Sequence, residues 1–195
     1  MAEVASTGML HLGASAPDFI LPDSAGRLFS LSDVCGPKGV VVAFLCNHCP
    51  YVIHLAEALA GFADCCVAKG IGFVAINSND VTRYPADSPE RMKETAKKYS
   101  WSFPYLHDES QDVAKAYCAA CTPDFYLFDA NRSLVYCGQF DSSRPGRPVP
   151  VIGSDLHQAI TGLLAGESPV ANQHPSAGCN IKWKPGNEPT WYPIG

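Results

Sequence analysis

The sequence predicts an α/β fold with a mixed central sheet flanked by helices, and three observations carry that prediction. Val40-Val-Val-Ala-Phe-Leu45 places six apolar residues in a row, the pattern of a strand buried on both faces. Helical and strand signals alternate along the rest of the chain. The alternation ends on two strands joined by Asn131-Arg132, so a closing hairpin makes the sheet mixed rather than all parallel.

The elements follow in order. Residues 1–11 read as a loose lead. Leu12–Leu21 and Arg27–Leu31 flank Pro22-Asp-Ser-Ala-Gly26, which predicts an N-terminal β-hairpin. Ser32-Asp33 is expected to cap a short helical turn, and Gly36-Pro37-Lys38-Gly39 breaks the chain before the core strand. After Cys49, residues Val52, Leu55, Leu59, Phe62 and Cys66 recur at helical spacing, and Gly70 stops a helix reaching about Ala68. Ile71–Ile76 is a second buried strand. Ser88 caps and Pro89 opens a helix towards Tyr99. Phe103–Leu106 reads as a short strand and Glu109–Tyr117 as a helix. Phe125–Phe128 and Ser133–Phe140 are the hairpin strands. A last helix starts at Ser154 or Asp155 and ends at Gly166. The expected organisation is the lead, one domain over 12–166, and an extended C-terminal tail, 167–195, packed on that domain through residues such as Ile181, Trp183, Trp191 and Tyr192.

Composition excludes several classes. In 195 residues, 47% are hydrophobic and 17% charged, which argues for a globular chain and against disorder. The formal net charge is −5 without a basic cluster, so no nucleic acid is expected. Without a polybasic run or a long apolar stretch, no membrane is expected either. Met1-Ala-Glu-Val-Ala-Ser-Thr-Gly8 lacks the basic and apolar regions of a signal peptide, which makes the cytoplasm the expected compartment. Nine cysteines, an odd count, do not suit a secreted disulfide framework. Cys35, Cys65, Cys66 and Cys137 read as reduced, small apolar fillers.

Cys46 and Cys49 are different. Cys46-Asn47-His48-Cys49-Pro50 falls where the buried strand turns into the helix. Unpaired N–H groups and the positive end of the helix dipole favour a thiolate there. A thiol so held drops from about 8.5 into a range of roughly 3.5–7.5. Two cysteines three apart on a first helical turn share a face and can close a small disulfide. His48 is read as an imidazolium beside Cys46 that stabilises its thiolate, with a surface histidine as the plain alternative. Haem attachment would need a histidine directly after Cys49, where Pro50 stands. Cys118-Ala-Ala-Cys121 is a second such pair, read either as helix-end packing or as chemistry; both pairs together would suit a four-thiolate metal site. That reading is set aside, so neither a metal nor any other cofactor is expected. Cys179 reads as a buried anchor of the tail, with a resolving role as its alternative. Asn77, Asn79 and Asp80 follow the carboxyl end of a strand, where ligands gather in α/β sheets.

These residues carry a resemblance. Phe44–Pro50 after a buried strand, with Thr122-Pro123 leading into Asp124–Asp129, resembles the thioredoxin fold. Gly13-Ala-Ser-Ala-Pro-Asp-Phe19 and the hairpin after it resemble the peroxiredoxin and thiol-specific-antioxidant (AhpC/TSA) branch. Arg144-Pro-Gly146 and Gly178-Cys179-Asn-Ile-Lys-Trp183 are similar to a peroxiredoxin-like group that carries Cys-x-x-Cys. The resemblance covers about residues 12–186. It implies that Cys46 is the exposed attacking cysteine and Cys49 the buried resolving one, with Asn47 and His48 tuning the pair. It implies a cis-proline at Pro123 facing the dithiol, a backbone at Thr122 that holds a bound peptide, and Cys121 near the dithiol as a third redox cysteine. The Pro-x-x-x-Thr-x-x-Cys of peroxiredoxins is not matched: with Cys49 on its cysteine, Val42 and Cys46 hold the other places. The buried acid that thioredoxins carry before the motif is absent from Val40–Leu45, so another base or water must serve.

The expected function is thiol–disulfide oxidoreduction by Cys46 and Cys49. The alternatives are a thiol-dependent peroxidase, an antioxidant that reduces hydroperoxides, and a non-catalytic redox sensor or binding module. The implied partners are a protein or small-molecule disulfide, or a hydroperoxide. No nucleotide motif is present, so electrons are expected from an external thiol such as a thioredoxin or glutathione system. A homodimer stays open.

Overall fold

A computed structural model describes residues 3–6 and 10–192. Parts of the expected lead (1, 2 and 7–9) and the last three residues of the tail lie outside the described residues. The elements in chain order are β1 (Glu3–Ala5), β2 (Ile20–Pro22), β3 (Leu28–Ser30), α1 (Leu31–Val34), β4 (Gly39–Phe44), α2 (Pro50–Ala68) and β5 (Ile71–Asn77). A 3₁₀ turn (Pro85–Asp87), α3 (Pro89–Lys98), β6 (Tyr105–His107), α4 (Asp112–Ala116), β7 (Cys121–Thr122), β8 (Asp124–Asp129), β9 (Leu134–Gly138), α5 (Ser154–Ala165) and β10 (Ala177–Asn180) follow.

All six residues of β4 are buried, as its unbroken apolar run requires. It pairs antiparallel with β8 from Gly39↔Asp129 to Phe44↔Asp124, and β8 pairs with β9 across the hairpin. β5 and β6 pair in parallel, and the Leu45 amide donates to Ile76 O at 2.9 Å where β4 meets β5. The result is a mixed central sheet with a core on each face. Val41, Ala43 and Leu45 point to one core, shared with α2 and α5; Val40, Val42 and Phe44 point to the other, shared with α1, α4 and the tail residues Ile181 and Trp183. That division is the period-two alternation of a strand.

α2 fixes the site. Pro50 occupies its first turn, where a missing N–H costs nothing, and Val52, Leu55, Ala56, Leu59, Ala63 and Cys66 are buried. Each fully buried leucine there stabilises by roughly 1.5–3 kcal/mol. By length and composition alone α2 could cross a membrane, a property the apolar-run expectation did not foresee. Its buried residues belong to the core beside Val41, Ala43 and Leu45, as in the core helix of a sheet protein.

Three local expectations shift. α1 is capped by Ser30, not Ser32: the Ser30 hydroxyl takes the Asp33 amide at 3.3 Å, and the Asp33 carboxylate takes the Ser30 amide at 2.8 Å. The helix expected over 109–117 is only Asp112–Ala116, because Gln111 enters it at φ 67 and the Asp108 carboxylate takes the Ala114 amide. The lead and tail, read as irregular, contain strands: β1 pairs β10 and β10 pairs β7, all antiparallel. Strands of two to four residues carry almost no periodic signal, and this sheet joins segments far apart in sequence.

Candidate active site

The strand-to-helix junction places the two cysteines unequally. Cys49 is the N-cap residue of α2, with extended backbone (φ −69°, ψ 122°), whereas Cys46 lies before the helix, just after β4. The expected sharing of a first helical turn is therefore corrected: only Cys49 sits at the helix end. Both side chains are buried, at 1% and 0% exposure, which also corrects the expectation of an exposed Cys46.

One residue touches both sulfurs. Cys46 Sγ lies 3.3 Å from Thr122 Oγ1, and Cys49 Sγ lies 3.2 Å from the Thr122 carbonyl oxygen. The Thr122–Pro123 peptide bond is cis. The protons divide accordingly. A hydrogen bond from Cys46 pulls Cys49 down to about 5, against burial, with Cys179 and the Val52 amide adding to the effect. Burial first, then Cys49 and Asp87, pushes Cys46 well above the ordinary thiol value. These shifts belong to the pair: it sheds its first proton far below an ordinary thiol and holds the second above one. Thr122 works against that order. Its carbonyl accepts from a Cys49 thiol and would repel a Cys49 thiolate, while its hydroxyl can donate to a Cys46 thiolate. Thr122 thus favours the charge on Cys46, against the order that burial and the Cys46 hydrogen bond set for the two thiols.

His48 and a residue that the sequence reading missed complete the polar side. His48 Nδ1 stands 2.7 Å from Asp87 Oδ2, and this carboxylate contact raises the imidazole against partial burial. Asp87 is fully buried and also accepts the Asn47 amide at 2.8 Å and Asn79 Nδ2 at 2.7 Å. Asn47 is clamped in turn, donating to Ala86 O at 3.0 Å and accepting from the Tyr105 hydroxyl at 3.0 Å. A buried acid thus stands beside the motif on the 3₁₀ turn rather than in β4. Nothing in Pro85-Ala-Asp87-Ser-Pro89 signals it; the loop is brought in by Asn77, which donates to Asp87 O at 2.8 Å, and by Asn79. Asn77 and Asn79, singled out for their strand-end position, serve as this brace.

Donor atoms of Cys46, His48 and Asp87 lie within 4.8 Å of one another, the one such group of three Cys, His, Asp or Glu side chains among the described residues. A thiolate, an imidazole and a carboxylate are a set that a zinc-sized ion accepts. Here two of the three already face each other as an ion pair. The four thiols of the two Cys-x-x-Cys pairs form no such group.

The remaining sequence candidates are placed as follows. Cys121 is buried, with its thiol 3.7 Å from Pro123 O and pushed up by burial. Pro123 lines a small cleft with Tyr51, His54, Phe140 and Arg144. Arg144 is tied to its own loop, donating to the carbonyls of Asp141 and Ser143 and to Gln139 Oε1 at 2.7–2.9 Å. Cys179 is buried in β10, opposite Thr122 and in the same core cluster as Cys46 and Cys49.

A strand-to-helix dithiol facing a Thr-Pro strand entry, on a mixed sheet with helices on both faces, defines a thioredoxin-fold thiol protein. The chain belongs to the AhpC/TSA family, whose model matches residues 12–137. It is similar to a structurally determined, uncharacterized conserved protein from Geobacillus kaustophilus, at 49% identity and a TM-score of 0.91, over 95% of this chain and 98% of that one. It is also similar to a thiol-disulfide oxidoreductase ResA of Geobacillus kaustophilus, 30% identical over 127 residues. That match takes in 62% of this chain and 64% of the relative's length. A thioredoxin domain of a thiol-disulfide oxidoreductase from Bacteroides vulgatus shares the fold, at 19% identity and a TM-score of 0.58, over 76% of this chain and 97% of that one.

Proposed function

We propose that this protein is a thiol–disulfide oxidoreductase whose Cys46 thiolate attacks a substrate disulfide and whose Cys49 resolves the mixed disulfide. The observation that carries the reading is the double contact of Thr122, which lets one thiolate and one thiol coexist at the end of α2. In the first step Cys46 bonds to one substrate sulfur and the other leaves as a thiolate. In the second, Cys49 gives up its proton and attacks the Cys46 sulfur, releasing the bound substrate thiolate and closing Cys46–Cys49. The substrate gains two electrons. The dithiol is restored by an external thiol, for which a thioredoxin or glutathione system is suited. The name carried by the ResA relatives supports the same reaction class. Because neither sulfur is exposed, a protein disulfide reaches them only when the covering segments open.

That burial favours one second reading, a thiol peroxidase, since a hydroperoxide is small enough to enter where a protein disulfide cannot. Against it, Cys46 stands where the threonine of the peroxiredoxin Pro-x-x-x-Thr-x-x-Cys motif would be, and Val42 where its proline would be. Turnover of hydroxyethyl disulfide and of hydrogen peroxide, by wild type and Cys46→Ser, separates the two. Disulfide turnover that falls at least ~100-fold in the variant supports the exchange reading. Peroxide turnover without disulfide turnover overturns it.

A further inference from the structure

The tail strand β10 lies between β1 and β7, in a register that sets Cys179 opposite Thr122 and Asn180 opposite Cys121. Its approach depends on a glycine. A Cβ on Gly178 would stand 2.0 Å from the Thr122 carbonyl oxygen and 3.1 Å from Pro123 Cδ. That same carbonyl holds the Cys49 sulfur at 3.2 Å. Thr122 therefore has the dithiol on one side and the Cys179 strand on the other, in the place where an added substrate strand would pair with its backbone. Cys179 is 3% exposed and shares a core cluster with Cys46 and Cys49.

We propose that Cys179 is a third redox-active sulfur of this site, which exchanges with the Cys46–Cys49 disulfide and carries the oxidising equivalent as a Cys49–Cys179 bond. The proposal rests on the dithiol exchange reading above. Cys179 attacks the Cys49 sulfur; the Cys49–Cys179 bond forms as Cys46–Cys49 breaks, and the electron pair of the broken bond goes to Cys46. The proton lost by Cys179 ends on Cys46. One disulfide is consumed and one is made, so this step needs no further oxidant or reductant. Two features favour it. Cys179 is buried in the cluster that holds Cys46 and Cys49, and its strand packs against the Thr122 carbonyl that holds the Cys49 sulfur. On the leaving side, the Thr122 hydroxyl can donate to the departing Cys46 sulfur, and a ring nitrogen of His48 stands within 4.8 Å of it. The new bond would staple β10 across the Thr122 edge and return Cys46 to its reduced form.

The test maps disulfides in the full chain. Reduced wild type is oxidised with one equivalent of hydroxyethyl disulfide, quenched in acid, alkylated after unfolding, digested without reductant and read by mass spectrometry. Cys46→Ser is treated in the same way with diamide, which couples two thiols without needing Cys46 as the attacking group. The expected result is a peptide pair linked through Cys49 and Cys179 in wild type beside Cys46–Cys49, and that link as the main product in the variant. Cys179 wholly alkylated in both proteins, while wild type still closes Cys46–Cys49, overturns the proposal. Disulfide turnover distinguishes this from failure of the exchange reading. No turnover with the Cys49–Cys179 link present overturns the activity and supports the third sulfur. Turnover with Cys179 alkylated throughout overturns the third sulfur alone.

Discussion

Cys49 meets Thr122 through backbone, not side chain: its sulfur lies 3.2 Å from the Thr122 carbonyl oxygen, 73 positions along the chain. The threonine side chain is left to serve Cys46 at 3.3 Å. The two halves of one residue thus meet the two sulfurs differently, one through a carbonyl that can only accept and the other through a hydroxyl that can also donate.

Thr122→Val removes the hydroxyl and keeps the carbonyl and the side-chain shape. A hydrogen bond to a charged group contributes roughly 1.5–3 kcal/mol, which corresponds to about a 10- to 100-fold change. Cys46 should therefore react with iodoacetamide at least ~10-fold more slowly in the variant, with Thr122→Ser restoring the rate. Equal rates would remove the hydroxyl from the account.

Asp87 holds two donors and raises His48. Asp87→Ala leaves the Asn47 amide and Asn79 Nδ2 without their acceptor, at roughly 1–3 kcal/mol for each buried group. Urea unfolding at pH 7 should show that loss. Asp87→Asn should lower the His48 pKa, read from its imidazole proton shifts. The raised His48 pKa contributes stability that is fully present below the unfolded value, about 6.5, and lost as pH rises through the folded value. The difference in stability between wild type and Asp87→Asn should therefore shrink as pH rises through that window.

Asp124 follows Pro123 and is buried with Oδ1 unpaired, while Ser6 and Tyr126 donate to Oδ2 at 3.1 and 3.0 Å. Burial raises its pKa to about 7. The folded state then holds a proton that the unfolded state has released, so stability falls as pH rises from about 4 through 7. Asp124→Asn should flatten this part of the profile and gain on wild type between those limits, as denaturant midpoints at stepped pH would show. An unchanged slope would mean that Asp124 ionises normally.

Gly178→Ala puts a methyl group 2.0 Å from the Thr122 carbonyl, so β10 must move. Overpacking of this kind costs about 1–3 kcal/mol. The displaced strand should expose Cys49 and Cys179, and maleimide labelling of native protein should accelerate at both. Unchanged labelling with unchanged stability would show that the edge has slack.

Much of the sheet was legible because its strands announce themselves. Val40–Leu45 and Ile71–Ile76 are too apolar and too short for anything but buried strands, and Ser88-Pro89 and Gly70 punctuate helices whatever surrounds them. The dithiol was legible for the same local reason. Its exposure was not, because burial of Cys46 depends on what packs over the junction. Asp87 could not be found from its neighbours, since a buried acid in a Pro-flanked turn looks like any loop aspartate.

By itself the sequence determined the strand–helix junction, the spacing of Cys46 and Cys49, and the Thr122-Pro123 entry into β8, since each is set by residues adjacent in the chain. Only the tertiary structure decided which groups those sulfurs meet. Asp87 and Cys179 arrive through a loop brace and a strand register, and both depend on contacts between segments that local propensity and periodicity do not connect.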